Sequence, residues 1–226
     1  MVKDFAVKFR IKPGTRAHLG KRDAADASAL SDRKAAEQQS AKDGAVINEW
    51  QDKLYAEGKR SLLVVLQGVD TAGKDGTVRH VFNQTGPLGV TVTSFRAPSE
   101  KELAHDFLWR AHVACPRRGF IGIFNRSHHE DVLTGRVREL APKKAIEQRY
   151  AQINDFERML SENGTVIVKF LLHISKKEQG LRLQERIDDP TKNWKFVLAG
   201  FTTASIESRP GLQIGPGGSP LSIRVL

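Results

Sequence analysis

The sequence has little sulfur and few aromatic side chains. Its 226 residues include one cysteine, Cys115, which excludes a disulfide within the chain, and only three tryptophans and two tyrosines. It has no zinc-ligand spacing, no motif of interleaved aromatic and basic residues, and no internal repeat. Zinc fingers, ribonucleoprotein domains and solenoid repeats therefore do not describe this chain.

Long apolar runs are also missing. No segment approaches the roughly 20 apolar residues that a membrane span requires, and charges occupy residues 1–20, where a signal peptide would have an apolar centre. We therefore expect a cytoplasmic protein with no membrane partner. At 25.1 kDa, with 39% hydrophobic residues, the chain is long enough for one domain with a sizeable core.

Acidic residues are outnumbered by basic ones. The chain has 36 lysines and arginines against 26 aspartates and glutamates, and its formal net charge at pH 7 is +10. This balance favours a polyanionic partner such as nucleic acid, an anionic membrane surface or polyphosphate. Charge alone does not choose among them, but the absence of a recognition motif leads us to expect no nucleic-acid partner.

The clearest motif lies within residues 62–77. Five apolar residues, at 62–66, lead into a glycine-rich turn that ends in Gly73-Lys74. This order predicts a strand buried on both faces, a loop, and a helix that begins at about Lys74. Glycines let a ligand approach the backbone, so the N–H groups of the turn can bind phosphate, with Lys74 as an added charge. We interpret the turn as a phosphate-binding loop; the alternative is an ordinary glycine-rich turn.

The loop departs from the generic phosphate-loop pattern. Asp75 stands where that pattern has a serine or threonine whose hydroxyl meets magnesium. Two other residues offer oxygen atoms in place of the missing hydroxyl. Asp70 lies inside the loop, where a carboxylate beside phosphates is costly unless a metal or a proton transfer needs it. Thr77 offers a hydroxyl close by.

Strands and helices alternate along the rest of the chain, which predicts an α/β fold with a doubly wound parallel sheet. Periodicity and turn residues predict further strands at residues 90–95, 120–124 and 165–172, and helices at residues 31–57, 100–114 and 143–161. Ser99 and Glu102 form a capping-box signature at the start of the second of these helices, along which Leu103 should face the core. Polar residues 125–131 directly follow a buried strand, where α/β sheets place their functional sites.

A charged helix is predicted within residues 175–196, after the last of these strands. Arg182 and Arg186 are four residues apart and share one face of it. That face could close over phosphates as a lid, because one guanidinium group can bind two phosphate oxygens at once. A solvated surface helix is the alternative, and charge alone would favour it.

Three blocks of sequence together resemble the polyphosphate kinase 2 family. They are Gly68-Val-Asp-Thr-Ala-Gly-Lys-Asp-Gly76, Phe124-Asn-Arg-Ser-His-His-Glu-Asp-Val-Leu133 and Arg186-Ile-Asp-Asp-Pro-Thr-Lys-Asn-Trp-Lys-Phe196. Ser94-Phe-Arg-Ala-Pro-Ser-Glu-Lys-Glu-Leu103 strengthens the match, and the second block is similar to the form found in class III of the family. The resemblance spans roughly residues 10–200.

The resemblance implies a P-loop kinase-like fold of three layers, with a central parallel sheet and a helical lid. It implies that polyphosphate is the phosphoryl donor, that AMP, ADP or both are acceptors, and that the cofactor is Mg²⁺, with Mn²⁺ as a substitute. The expected partners are inorganic polyphosphate and the nucleotides AMP, ADP and ATP. We also expect a homo-oligomer.

The resemblance also implies roles for the matched residues. Catalysis would fall to Asp70, Lys74, Arg126 and Asp131, of which Asp70 and Asp131 would also bind the metal. The phosphate-binding residues would be Gly68, Ala72, Gly73, Lys74, Asp75, Gly76, Thr77 and Arg96. Asn125 and Glu130 would complete the site at the nucleotide. The lid would contribute Lys176, Lys177, Arg182, Arg186, Lys192 and Lys195.

His128 and His129 look like a metal-binding pair. Adjacent residues on a regular segment point apart, however, so we expect no histidine metal site at this position.

The chain is expected to divide into a basic arm at residues 1–30, a kinase domain at 31–200 with its lid at about 175–196, and a tail at 201–226. The tail is punctuated by glycine, proline and serine, which predicts poor order. Relatives of the family continue instead with a helix, a strand and a final helix. Two alternative functions stay open. One is an ATP-using nucleoside monophosphate kinase, and the other is a non-catalytic remnant that binds polyanions.

Overall fold

The computed structural model describes residues 7–15, 17–27, 32–137, 142–191 and 223–225. The strands are β1 (Arg10–Ile11), β2 (Ser61–Gly68), β3 (Val90–Ser94), β4 (Ile121–Asn125), β5 (Thr165–Leu172) and β6 (Ile223–Val225). The α-helices are α1 (Arg33–Glu57), α2 (Lys74–Val81), α3 (Glu100–Leu103), α4 (Trp109–Ala114), α5 (Glu130–Val137), α6 (Lys143–Glu162) and α7 (Lys176–Asp188). No helix in the described ranges has the length and apolar character needed to cross a membrane.

One six-stranded sheet forms the centre, in the order β1, β6, β5, β2, β4, β3. The five strands from β6 to β3 run parallel, and β1 pairs antiparallel with β6. After β2 the chain forms β3 and β4 on one side of it and then β5 on the other. This reversal opens a crevice at the carboxyl end of β2, which is where ligands bind in such sheets. The predicted parallel α/β fold is confirmed.

Both faces of β2 are buried, and this explains its unbroken apolar sequence. Leu63 and Val65 belong to an apolar cluster on the face that α4 and α6 cover. Val64 and Leu66 belong to a second cluster, on the face that α1 and α2 cover. All four side chains are at most 5% exposed. The sheet is therefore the middle of three layers, and the strand that leads into the glycine-rich turn is packed on both sides.

The helix predicted at residues 100–114 is in fact two helices, α3 and α4. The predicted capping box is present, since Ser99 and Glu102 bond reciprocally at the start of α3. The helix stops because the carboxylate of Asp106 accepts a hydrogen bond of 2.9 Å from the backbone N–H of Leu108, a local bond that competes with the helical pattern. The break turns Leu103 outward, so its expected place in the core is wrong and its side chain is 68% exposed.

The N-terminal arm is tied to the sheet. Ile11 in β1 and Ala17 are 3% and 6% exposed, and they pack with Leu19 and with Leu171 of β5. Strand β6 belongs to the segment that the sequence predicted to be poorly ordered, and it pairs with both β1 and β5. The rest of that tail lies outside the described residues, so its poor order stays a prediction.

Gly122 of β4 provides a test of packing beneath the site. An added Cβ would lie 2.8 Å from the Cδ and Cγ atoms of Pro116, and a proline ring cannot turn aside. We expect Gly122→Ala to lower the free energy of unfolding by about 1–3 kcal/mol, measured by chemical denaturation.

Gly180→Ala in α7 is the matched control, because nothing lies within 4 Å of its added Cβ. Alanine is the better helix former, so this variant should be more stable by about 0.5–1 kcal/mol. The same loss of stability in both variants would contradict the packing argument.

Candidate active site

The loop between β2 and α2 has a constrained backbone. Gly73, the N-cap of α2, has a φ of 99°, which favours glycine. A Cβ on Gly68 would lie 2.8 Å from the carbonyl oxygen of Leu172, so the neighbouring strand requires glycine there. Thr71 has a φ of 66°, a conformation that β-branched residues rarely adopt and that is typical of functional sites. The first N–H groups of α2 have no partner within the helix, and the loop leaves them facing the crevice.

Lys74 lies beneath this loop. Its Nζ donates hydrogen bonds of 2.9 Å to the carbonyl oxygens of both Gly68 and Val69, and the residue is only 7% exposed. Burial lowers the pKa of Lys74 to about 8, and the positive charge of Arg126 adds to this effect. Three nearby carboxylates act in the opposite direction, those of Glu130, Asp70 and Asp75. The ammonium of Lys74 thus holds the loop by two of its carbonyl oxygens, at the cost of partial desolvation.

The carboxylate of Asp70 is bound by arginines from two other segments. Its Oδ2 lies 3.1 Å from a terminal nitrogen of Arg186, and its Oδ1 lies 3.8 Å from one of Arg126. The same Oδ1 accepts a hydrogen bond of 3.0 Å from the backbone N–H of Thr71. A carboxylate in a phosphate-binding loop would repel its ligand, but these contacts neutralise it.

One face of α7 binds the loop. Arg182 donates to the carbonyl oxygen of Thr71 at 3.1 Å and is oriented by Glu178, whose Oε1 lies 2.7 Å from its Nε. Gln179 is 1% exposed and donates to the carbonyl oxygen of Asp70 at 3.1 Å. The face predicted from the spacing of Arg182 and Arg186 therefore contacts the loop. The sequence analysis missed Gln179, although its position three residues before Arg182 places it on that face.

Arg126 follows the carboxyl end of β4 with a φ of 64°. Its N–H donates to the carbonyl oxygen of Leu66 at 3.0 Å, and its guanidinium lies 3.5 Å from the carboxylate of Glu130. Gln67, another residue that the sequence analysis missed, donates to the other oxygen of Glu130 at 3.1 Å. The two neighbouring strands thus fix the direction of Arg126 towards the loop.

Asp75 and Asn125 connect the start of α2 to the end of β4. The side-chain amide of Asn125 donates to the Asp75 carboxylate at 2.6 Å. The position that usually carries a serine or threonine therefore holds a carboxylate with a partner. Thr77 donates its hydroxyl proton to the carbonyl oxygen of Gly73 at 3.1 Å, which orients the hydroxyl and leaves the lone pairs of its oxygen for another partner.

Asp131 is bound by arginines of α4 and α6. Its Oδ2 lies 3.1 Å from Arg110, and its carbonyl oxygen accepts a hydrogen bond of 2.8 Å from Arg149. Arg110, which the sequence analysis did not single out, also donates to the carbonyl oxygen of Arg96 at 2.9 Å. The arginines that bind Asp131 come from helices α4 and α6, whereas Asp70, the other predicted metal ligand, is bound by Arg126 and Arg186. Glu130 is the carboxylate of this segment that approaches Arg126.

The expectation that His128 and His129 point apart is wrong. They lie in a turn before α5 instead of a regular segment, and their ring centroids are 4.5 Å apart. Both Nε2 atoms approach Oε1 of Glu157 in α6, at 3.3 Å from His128 and 3.4 Å from His129. Oε2 of the same glutamate lies 2.6 Å from Nζ of Lys169. Burial lowers the pKa of His129 to about 3, so this ring is neutral at pH 7.

The other predicted site residues are distributed as follows. Arg96 is exposed just after β3, beside the end of β4, because Phe95 N–H donates to the carbonyl oxygen of Asn125 at 3.0 Å. Lys176 and Lys177 are exposed in the first turn of α7. Lys192 and Lys195 lie outside the described residues. Ala72 is 7% exposed and packs against Leu172 and Ile174, so it anchors the loop to β5.

A glycine-rich loop at the carboxyl end of the central strand of a parallel sheet, contacted by a helix that carries two arginines, is the arrangement of a P-loop kinase-like fold. The family model described as Polyphosphate kinase 2 matches residues 30–203. The chain belongs to the polyphosphate kinase 2 family, as its three sequence blocks indicated.

Characterised relatives agree with this assignment. The chain is 51% identical over 195 residues to the AMP/ADP-polyphosphate phosphotransferase of Meiothermus ruber, a match covering 84% of this chain and 72% of the relative. It is 46% identical over 165 residues to the ADP-polyphosphate phosphotransferase of Rhodopseudomonas palustris, covering 68% and 57%. The crystal structure of polyphosphate kinase 2 from Arthrobacter aurescens TC1 superposes with a TM-score of 0.84 at 37% identity, covering 97% of this chain and 80% of that one.

Lys74 should take up a proton when a phosphate chain binds. With a pKa of about 8 its amine is about half protonated at pH 8, and an adjacent polyanion raises the pKa by favouring the charged form. We expect triphosphate binding at pH 8 to take up about half a proton, and affinity to fall as the pH rises through this range. Calorimetry in buffers of different ionisation enthalpy measures the uptake. Lys74→Arg, which stays charged, should abolish it; unchanged uptake would mean that another group titrates.

Proposed function

We propose that this protein transfers a phosphoryl group from polyphosphate to AMP or ADP, with Mg²⁺ as its cofactor. The observation that carries the proposal is the convergence of four cationic side chains on one loop: Lys74, Arg126, Arg182 and Arg186. The printed names of the relatives from Meiothermus ruber and Rhodopseudomonas palustris support polyphosphate and an adenine nucleotide as substrates.

The chemistry needs little beyond this arrangement. Phosphoryl transfer depends mainly on alignment of the two substrates and on neutralisation of charge that spreads over the phosphate oxygens. Lys74 and the N–H groups at the start of α2 would bind one phosphate. Arg126, whose fork can bond two oxygens at once, would bind the phosphoryl group in transfer.

Asp70 would link the arginines to the metal. In the described structure its oxygens are occupied by Arg126 and Arg186, and a phosphate chain offers both guanidinium groups stronger anionic partners. Once they turn to phosphate, the Asp70 carboxylate is free to bind a hard divalent cation. One carboxylate plus substrate phosphates is a usual ligand set for Mg²⁺, and Mn²⁺ accepts the same oxygen atoms. The ion, when bound, would neutralise phosphate charge and orient the chain.

Asp131 fits a supporting role better than a direct one. Its carboxylate orients Arg110, which is 9% exposed and also binds the backbone of Arg96. We propose that this pair positions Arg96, exposed at the rim of the crevice, for a phosphate of the nucleotide or the polymer.

The ATP-using kinase is disfavoured by the loop itself. The position that supplies a hydroxyl to magnesium in ATP-binding loops holds Asp75, and its carboxylate bonds Asn125. A negative charge here opposes a nucleotide triphosphate bound in the usual way. A non-catalytic remnant remains one outcome of the test described next, because the matches cover 72% and 57% of these two relatives.

Chromatography of the nucleotide products distinguishes these three functional hypotheses. The chain is incubated with Mg²⁺ and either AMP or ADP, with polyphosphate or ATP as donor. We expect product with polyphosphate, and a loss of about 10²–10³-fold in kcat for Lys74→Ala, which removes one transition-state contact. His80→Gln on the exposed side of α2 serves as control and should be unaffected. Product from ATP alone would identify a nucleoside monophosphate kinase, and no product from either donor would identify a remnant.

The face of α7 that contacts the loop should determine donor binding. Arg182→Ala combined with Arg186→Ala should raise KM for polyphosphate about tenfold or more, and should flatten its dependence on salt, because two phosphate-binding charges are lost. Steady-state kinetics over a range of ionic strength measure both effects. Gln184→Ala, on the exposed side of the same helix, is the control. If α7 is only structural, the double variant would lose thermal stability while donor kinetics stay unchanged.

A further inference from the structure

Two histidines and one glutamate bring three ligand atoms together behind the phosphate loop. One ligand atom from each of His128, His129 and Glu157 lies within 4.8 Å of the other two. His128 and Glu157 are fully buried, and the His129 side chain is 27% exposed. The catalytic scheme proposed above uses none of the three.

The distances in this group suit metal coordination as well as hydrogen bonding. The two histidine nitrogens lie 3.3 and 3.4 Å from the glutamate oxygen, and the contact from His128 is a long hydrogen bond. Ligands held at about 2.0–2.1 Å in a tetrahedron around zinc are separated by about 3.3–3.4 Å. Both nitrogen–oxygen distances therefore already have the spacing of two ligands on one ion.

Neighbouring groups orient two of the three ligands. Nδ1 of His129 lies 2.9 Å from the hydroxyl oxygen of Ser127, which leaves its Nε2 directed at Glu157. Nζ of Lys169 binds Oε2 of Glu157 at 2.6 Å and leaves Oε1 for the histidines. Hydrogen bonds of this kind, from the far atom of a ligand, are usual around protein-bound metals. The far nitrogen of the third ligand, Nδ1 of His128, is buried and has no hydrogen-bond partner among the described residues.

We infer that His128, His129 and Glu157 bind a transition-metal ion of the Zn²⁺ class. Two imidazoles and one carboxylate suit Zn²⁺, whereas Mg²⁺ prefers oxygen ligands only. The exposed edge of His129 would give the ion access and leave room for water as a fourth ligand. The ion would join the turn that carries Arg126 to helix α6. This site is separate from the Mg²⁺ position at Asp70, and the inference does not depend on the proposed function.

Cobalt spectroscopy tests the site without an activity measurement. The full chain, free of any histidine tag and stripped with a chelator, is titrated with Co²⁺ in excess Mg²⁺, which occupies oxygen-only sites. We expect one Co²⁺ per chain with visible d–d absorption, and loss of that absorption when Zn²⁺ replaces it. An absence of absorption would overturn the inference. It would mean that the hydrogen bond from His128 and the charge of Lys169 hold Glu157 without an ion.

His129→Gln is the variant of choice, because its partial exposure lets the chain fold without it. We expect its affinity for Co²⁺ to fall at least about tenfold, whereas His80→Gln, an exposed histidine on α2, should bind as the parent does. Zn²⁺ should raise the melting temperature of the parent and of His80→Gln, but not that of His129→Gln. Equal affinity and equal thermal shifts in all three proteins would also overturn the inference.

Discussion

The ion pairing of Asp70 organises the site. In the described part of the chain, its carboxylate joins the phosphate loop to the end of β4 and to helix α7, through Arg126 on one side and Arg186 on the other. None of these segments is adjacent in sequence. A carboxylate alone in the loop would repel phosphate, and two arginines alone would repel each other. Together they leave one positive charge, which the carboxylate of Glu130 beside Arg126 balances, so the group is nearly neutral.

Lys74, like the two arginines, is bonded to other groups of the protein. Its ammonium bonds the carbonyl oxygens of Gly68 and Val69, and burial lowers its pKa towards neutrality. A ligand that supplies negative charge restores the full positive charge of the lysine. Nearby negative charge raises that pKa again, as the carboxylates of Glu130, Asp70 and Asp75 already do in part.

Sequence patterns predicted those structural features that depend on residues close together in the chain. The apolar run of β2 reflects burial on two faces, and the spacing of Arg182 and Arg186 reflects one face of α7, so both were found. The break at Asp106 was missed because a single side-chain bond outweighs the helical pattern around it. Gln67, Gln179 and Arg110 were missed for a different reason. A polar residue gives no sign in sequence of the distant partner that it will bind.

The contact of the two histidines with Glu157 was missed for the same reason. This contact also shows how the strained segment after β4 is held in place. A non-glycine residue at a φ of 64° costs about 1–3 kcal/mol and persists only where neighbours fix it from several sides. Arg126 is fixed at its own N–H by Leu66. Two residues further on, the buried His128 lies against Glu157 of α6, whose second oxygen is bound by Lys169 of β5. Arg126 is thus held between β2 on one side and the cluster of His128, Glu157 and Lys169 on the other. That cluster supports Arg126 through the backbone, which it keeps in a conformation that the isolated chain would avoid.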